Sequence, residues 1–326
     1  MRSLTIAIAS YERKDDVTRL VRGLQDLADH SPASWEGVDI VVVLDGSTDG
    51  SAEALADLQG TLPLSTIWQE NAGLSAARNA GLRAATGELI WFLDDDLLPL
   101  PGTIERHRRA HEVRDEVMLL GPCNVAPGIE LYKAARDFWN EHNALRAEGD
   151  RIERFDLIAV ANASLSTNLL RSIGGFDERF VGYGLEDFEL ALRLLEAGTI
   201  VKFDADAVCW HYTALNERLE RLRRRETGRN TVRFIDIHPE ITEHYFPSDY
   251  PSRSMQILDR TRLHSPRLLM MVSELSAFAT AVTTRLVGRG YLLRVLSLDA
   301  SYAAGIADMD RSLLHRALGR PQQGVR

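Results

Sequence analysis

The hydrophobic pattern of the first 125 residues switches repeatedly between two periods. Short apolar runs rich in β-branched and aliphatic residues read as strands: "LTIAIAS" (4–10), "VDIVVVL" (38–44), "LSTIW" (64–68), "ELIWFL" (88–93) and "EVMLLG" (116–121). Between them, stretches at roughly 14–28, 50–59, 74–85 and 102–113 read as helices. Near-continuous apolar strands alternating with helices predict an α/β fold with a mostly parallel sheet covered on both faces. In open sheets of this kind ligands bind beyond the carboxyl ends of the strands, so the residues following each strand are the ones to inspect.

Further along, "YKAARDFWNEHNALRAEGDRIERF" (132–155) is helical and rich in Arg, Glu and aromatic residues, and "LIAVANASLS" (157–166) returns to strand character. "GGFDERFVGYGLEDFELALRLLEAG" (174–198) reads as a glycine-rich loop entering a helix. Its apolar positions Leu190, Ala191, Leu194 and Leu195 share one face, and Gly198 stands where a C-terminal cap belongs. "TIVKFDADAVCWHY" (199–212) is a further β segment ending near His211. The chain then divides into an α/β region over 1–213, a helical region over 214–318 and a Pro/Gln/Gly/Arg tail over 319–326 expected to be disordered.

Composition narrows the class. A 45% hydrophobic chain of 326 residues reads as globular, and its net charge of −9 argues against nucleic acid as a partner. The exception is "ERLRRRETGR" (220–229), whose arginines have Glu217, Glu220 and Glu226 nearby and read as a solvated helix face. Two cysteines, Cys123 and Cys209, make no disulfide framework, so a reducing compartment is the default. The N-terminus reads as a first strand rather than a signal peptide, and the apolar stretch from Leu268 to Thr284 is interrupted by Glu274. The expected location is cytoplasmic.

The strand ends carry the chemistry. "SYER" (10–13), "DGSTDG" (45–50), "QENAGLSAARNAG" (69–81) and "DDD" (94–96) follow the first four strands, so acidic groups crowd one edge. A divalent cation or a donor-rich ligand would relieve that crowding. If the strand stayed extended, Asp94 and Asp96 would share a face and Asp95 would point away. Such a pair can hold a hard cation that keeps positions open for phosphates. The triplet alone serves equally as a solvated acidic turn or a helix cap, and Asp49 reads as the cap of the helix at 50–59.

Five ordered segments extend the pattern: "IAIASYER", "VVVLDGSTDGS", "NAGLSAARNAGLRAATGELIWFLDDD", "GGFDERFVGYGLEDFELALRLLEAG" and "DAVCWHY", together spanning roughly residues 4–212. In these the sequence resembles the family 2 glycosyltransferases, inverting nucleotide-sugar enzymes of the GT-A fold. The resemblance implies a Rossmann-like sheet flanked by helices. It also implies a nucleotide-sugar half over about 1–125, an acceptor half over about 126–213 and a helical C-terminal extension. It implies that Tyr11 lies against the nucleotide base, that Asp45 hydrogen-bonds base or ribose, and that Arg78 sits near base and diphosphate. Asp94 would contact ribose or donor sugar, Asp96 would ligate the metal, and His211 would supply a further ligand. Asp187 matches the general base and Glu186 a sugar-hydroxyl contact. A mixed carboxylate and imidazole set favours Mn²⁺, with Mg²⁺ the alternative.

Two positions depart from the family pattern. Ala9-Ser10-Tyr11-Glu12 replaces a P-x-Y-N type run, and Leu44 replaces the first of two aspartates, which leaves the base open, with uridine expected. On the acceptor side Phe138 and Trp139 could stack on a sugar face or anchor a helix. The acceptor itself, whether a saccharide, a small molecule or a lipid-linked group, is open. The apolar helices from about 265 to 316 could pack on the α/β region, form a homodimer interface, or make a peripheral membrane contact. A sugar nucleotidylyltransferase and a non-catalytic nucleotide-sugar binder are the competing readings. The first is disfavoured because "IAIASYER" lacks a glycine-rich triphosphate loop.

Overall fold

The structure is a computed structural model that describes residues 1–58, 62–129, 133–212, 217–241, 265–287 and 291–309. Side chains are described for all of these except 133–139, 217, 266, 278–287 and 291–295. The chain forms two compact units, Met1–Val181 with Glu186–Ala214, and Gly182–Leu185 with Leu215–Arg326.

In chain order the first unit contains β1 (Leu4–Ser10), α1 (Lys14–His30), β2 (Val38–Asp45), α2 (Ser51–Ala56), β3 (Leu64–Gln69), α3 (Leu74–Ala84) and β4 (Leu89–Asp94). There follow β5 (Leu97–Pro99), α4 (Thr103–Ala110), β6 (Val117–Leu120), β7 (Cys123–Val125), α5 (Lys133–Arg146), β8 (Asn162–Ser166) and α6 (Thr167–Ser172). The unit closes with α7 (Glu186–Glu196), β9 (Ile200–Phe203) and β10 (Cys209–His211). Seven strands form the main sheet in the order β3-β2-β1-β4-β8-β6-β9, and β5-β10-β7 form a second, small sheet. In the main sheet pairing is parallel except where β8 runs against β4 and β6, and in the small sheet β10 runs against β5 and along β7. The α/β expectation therefore holds, with one reversed strand inside the sheet.

Burial on both faces explains the unbroken apolar runs. On one face Ile6, Ile8, Ile40, Val42 and Leu44 pack with Val17, Leu20, Val21 and Leu24, the i, i+3, i+4, i+7 stripe of α1. On the other, Ile90, Phe92, Met118 and Leu165 pack with Leu190, Ala191 and Leu194 of α7. Each such Val, Leu, Ile, Met or Phe side chain contributes about 1.5–3 kcal/mol on full burial. Gly198 closes α7 at φ +81°, while the Thr199 and Gly198 amides return to the Leu194 and Leu195 carbonyls, a Schellman ending.

Three sequence expectations change. The segment 199–212 is not one strand: its first part extends the main sheet as β9 and its last part joins the small sheet as β10. The strand expected over 157–166 begins only at Asn162, after a 3-10 turn over Phe155–Leu157. The strand entering the acidic triplet ends at Asp94, and residues 95–96 form a turn into β5, so the alternation argument for Asp94 and Asp96 does not apply.

A polar network crosses the sheet behind the triplet. Trp91 Nε1–H and His107 Nε2–H both donate to Asn162 Oδ1 at 3.0 Å. Ser164 Oγ–H donates to His107 Nδ1 at 2.8 Å and accepts from His111 Nε2–H at 2.8 Å. The Ser164 donation to Nδ1 requires a neutral His107. Burial pushes the His107 pKa down to about 3 and that of His111 to about 4. A histidine neutral in the fold and protonated in the unfolded chain stabilises fully above about pH 6.5 and loses that contribution as pH falls toward the folded value. His107→Gln is therefore expected to be less stable than wild type near pH 7.5. The gap should narrow by roughly 2 kcal/mol by pH 5, read from urea denaturation midpoints. A gap independent of pH would contradict this account. Taking the difference between the two proteins cancels the opposing titration of other groups.

The second unit contains α8 (Glu217–Ile237), α9 (Pro266–Val287) and α10 (Tyr291–Met309). Here α8 and α10 approach backbone to backbone, because a Cβ on Gly228 would meet the Tyr302 carbonyl and one on Gly305 the Arg225 carbonyl. The arginine run is more than a solvated face. Arg221 pairs with Glu274 at 2.9 Å, Arg225 and Arg229 share Asp308, and Arg223 lies 4.7 Å over the Tyr183 ring. No helix among the described residues is long and apolar enough to cross a membrane.

Candidate active site

The carboxyl ends of β1, β2 and β4 meet the start of α7 and the end of β10. After β1, the segment 10–14 is tied to the segment 45–49. Glu12 N–H donates to Ser47 Oγ (3.0 Å), Glu12 Oε1 accepts from Thr48 N–H and Oγ–H (2.8 and 2.9 Å), and Lys14 N–H donates to Asp49 (2.7 Å). Glu12 adopts φ +52°, a left-handed conformation that a non-glycine residue takes only when its surroundings fix it. Tyr11 is thereby presented to solvent, 53% exposed. Asp49 also accepts from Ser51 N–H at 3.1 Å, but the N-cap of α2 is Gly50, so Asp49 stands one residue before the cap position rather than on it as expected.

Asp45 is buried at the end of β2 and organises the loop after β3. It accepts from Gln69 Nε2, Ala72 N–H and Gly73 N–H at 2.7, 2.9 and 2.8 Å, while Asn71 Nδ2 donates to its carbonyl at 2.9 Å. The carboxylate expected to meet base or ribose thus holds three protein donors already.

Arg78, buried on α3, gathers the acidic groups from two sides. Its Nη1 donates to Asp187 Oδ1 at 2.7 Å and reaches Glu186 Oε1 at 3.5 Å, and its Nη2 donates to Asp94 Oδ1 at 3.0 Å. The three carboxylates hold the guanidinium pKa above its ordinary value despite burial. Asp187 Oδ2 also accepts from Val160 N–H at 2.9 Å, so Asp187 is bound into the site and does not act as the cap of α7. Glu186 is buried beside it, and burial, reinforced by Asp187, pushes its carboxyl up to about 7. Arg146 lies on the same backbone stretch, its Nε donating to Leu157 O at 2.6 Å.

Asp95 and Asp96 face a different cation. Arg13 Nη1 contacts Asp95 Oδ1 at 3.0 Å and Nη2 contacts Asp96 Oδ2 at 2.9 Å. Ser10 Oγ donates to Asp95 Oδ2 at 2.7 Å. His211 Nε2 lies 3.2 Å from Asp96 Oδ2, and the backbone ties them as well: His211 pairs with Leu97 in the small sheet, and Tyr212 N–H donates to Asp96 O at 2.9 Å. The triplet is therefore divided, Asp94 toward Arg78 and Asp187, Asp95 and Asp96 toward Arg13. The expected separation of Asp95 from the other two is not what the turn produces.

The structure brings Asp94, Asp187, Glu186 and Arg78 together, and separately joins Asp96 to His211. Trp139 and Phe138 lie on α5, but their side chains fall outside the described ones. Arg13 and Glu12 are site residues that the sequence reading passes over. A cation just downstream of a strand end, on the edge that carries an acidic triplet, is the signal that would have found Arg13.

The chain matches the profile described as glycosyl transferase family 2 over residues 5–161 and that of the N-terminal domain of galactosyltransferase over 155–209. It is 29% identical over 271 residues to the validoxylamine A glucosyltransferase of Streptomyces hygroscopicus subsp. jinggangensis, covering 74% of this chain and 63% of that protein. It is 24% identical to an uncharacterized glycosyltransferase of Bacillus subtilis, covering 77% and 76%. Among solved structures, a mannosyltransferase from Pyrobaculum calidifontis in complex with GDP-Man and Mn²⁺ superposes with a TM-score of 0.64 at 18% identity, covering 95% of this chain and 88% of that one. Staphylococcus aureus TarS 1-349 in complex with UDP gives 0.52 at 16% identity, covering 93% and 90%. A family profile over nearly half of the chain, a relative aligned over three quarters of it and the superposed folds agree: this chain is similar to the family 2 glycosyltransferases and has the GT-A fold.

Proposed function

We propose that this protein is an inverting glycosyltransferase that moves a sugar from a nucleoside diphosphate sugar to an acceptor hydroxyl, with Asp187 as general base. The observation that carries the reading is the cluster in which Arg78 holds Asp187 and Asp94 side by side at the strand ends. An acceptor hydroxyl is a poor nucleophile, so a carboxylate within hydrogen-bond reach must take its proton as it attacks. Asp187 is held by one contact on each oxygen, and each oxygen keeps a lone pair for that proton. In-line attack opposite the leaving group inverts the anomeric carbon with one base and no covalent intermediate. Asp94, on the same guanidinium, would accept from a donor hydroxyl, and Glu186, carrying a raised pKa, would donate to one.

The residues present fit a divalent cation: a carboxylate oxygen and an imidazole nitrogen 3.2 Å apart, both backbone-anchored, form half of a mixed oxygen and nitrogen set. Among the described residues no group of three His, Cys, Asp or Glu completes it, so the diphosphate would supply the remaining ligands. Asp96 and His211 would hold Mn²⁺ or Mg²⁺, which would neutralise charge on the departing diphosphate. Tyr11 is exposed enough to stack on a base, and uridine is the proposed one.

A thermal-shift series with UDP, GDP and dTDP, each with Mn²⁺ and with excess chelator, tests this. UDP with Mn²⁺ should raise Tm most, and a ligand at about 100 times its Kd adds roughly 2.7 kcal/mol. Equal shifts in chelator would remove the metal claim, a larger shift with GDP would change the base, and no shift with any nucleotide would remove the donor class.

A further inference from the structure

We infer that Arg13 is the positioning residue of the metal-binding turn, the group that aims Asp96 at His211. The inference rests on the reading of Asp96 and His211 as ligands of a divalent cation. Asp95 and Asp96 are adjacent, and their side chains are only 6% and 5% exposed. Two such carboxylates repel, and in a two-residue turn nothing in the main chain prevents them from splaying apart. Arg13 spans them with one planar fork, Nη1 on Asp95 at 3.0 Å and Nη2 on Asp96 at 2.9 Å. The fork is itself fixed, because Asp16 Oδ2 in the first turn of α1 accepts from Nε at 3.1 Å and pairs with Nη2 at 3.0 Å. Upstream, the left-handed Glu12 and its bonds to Ser47 and Thr48 set where Arg13 leaves the backbone. Ser10 locks the far oxygen of Asp95 at 2.7 Å.

Asp96 Oδ2 is the oxygen that both Arg13 Nη2 and His211 Nε2 approach. A hydrogen bond on a ligating carboxylate orients it and spares the metal the cost of ordering it. Lysine could supply the charge but not the fork, since one ammonium cannot hold two carboxylates in fixed relative orientation.

The test is Mn²⁺ affinity, measured by electron paramagnetic resonance with UDP, and in parallel GDP, at saturating concentration and well below each variant's Tm. Arg13→Lys is expected to weaken Mn²⁺ binding about tenfold and Arg13→Gln up to about 100-fold, the range seen when partners of metal ligands are removed. Asp95→Asn, which leaves Arg13 on Asp96, should cost less than Arg13→Gln. If Arg13→Gln fails to fold, Arg13→Lys and Asp95→Asn decide the matter. A purely structural role would lower Tm and leave the Mn²⁺ affinity of the folded variants unchanged, which overturns the inference; tighter Mn²⁺ binding would overturn it too, by making Arg13 a competitor. Absence of Mn²⁺ binding to wild type with either nucleotide would remove the metal reading itself, and the inference with it.

Discussion

Asp187→Asn is expected to lower the rate of sugar transfer by about 10²–10⁴-fold while nucleotide affinity stays at the wild-type level. The substitution removes the proton acceptor and little else. The Asn oxygen still accepts from Arg78 or from Val160 N–H, so the fold should lose only about 1–3 kcal/mol. Steady-state transfer with a panel of acceptor alcohols, alongside UDP binding by calorimetry, separates the two effects. Turnover close to wild type would place the base elsewhere. Glu186→Gln is then the variant to compare, because Glu186 is the adjacent buried carboxylate.

Arg78→Met carries the largest expected cost to stability. It strips one buried guanidinium from three carboxylates, and breaking a buried pair by removing one partner typically costs about 3–5 kcal/mol. The sign of its pH dependence follows from Glu186. That carboxyl already titrates near 7, raised above its unfolded value, and Arg78 is the group that lowers it, so the variant's value lies higher still. A raised carboxyl favours the fold when protonated and loses that advantage as pH rises through the folded value. The penalty should therefore be greatest at about pH 8 and shrink toward pH 5.5, measured as differences in denaturation midpoint from wild type. A penalty that grows in acid would mean that these carboxylates do not depend on Arg78. Arg78 was expected near base and diphosphate; the contacts seen here give it the further task of keeping Asp94 and Asp187 together.

The parts of the fold legible in the sequence are those where one physical rule acts locally. Strands such as Val38–Asp45 and Leu89–Asp94 are buried on both faces, so each prints a continuous apolar run. The helix stripe at Leu190, Ala191 and Leu194 and the cap at Gly198 are equally local. What the sequence hides is decided by distant partners. The strand through Phe92 ends at Asp94, whose N–H finds the Ala161 carbonyl, and nothing in "FLDDDLLP" announces that the next residue turns. Likewise "TIVKFDADAVCWHY" carries one β-type pattern, yet its halves pair with β6 and with β5 and β7. The division of the three aspartates between Arg13 and Arg78 depends on arginines that topology delivers from before α1 and from within α3, and charge patterning along the chain is blind to it.

The ladder joining β5 to β10 has a consequence for how such a protein can diversify. Asp96 and His211 are far apart in sequence, but His211 sits opposite Leu97, and Tyr212 N–H returns to the Asp96 carbonyl. Their spacing is therefore written in main-chain pairing at one point and owes nothing to the length of chain between them. Insertions or deletions in the loops of the segment that separates them can accumulate without retuning the pair. A slip of one residue at the ladder itself would turn the imidazole to the opposite face, so evolutionary tolerance should end sharply at β10.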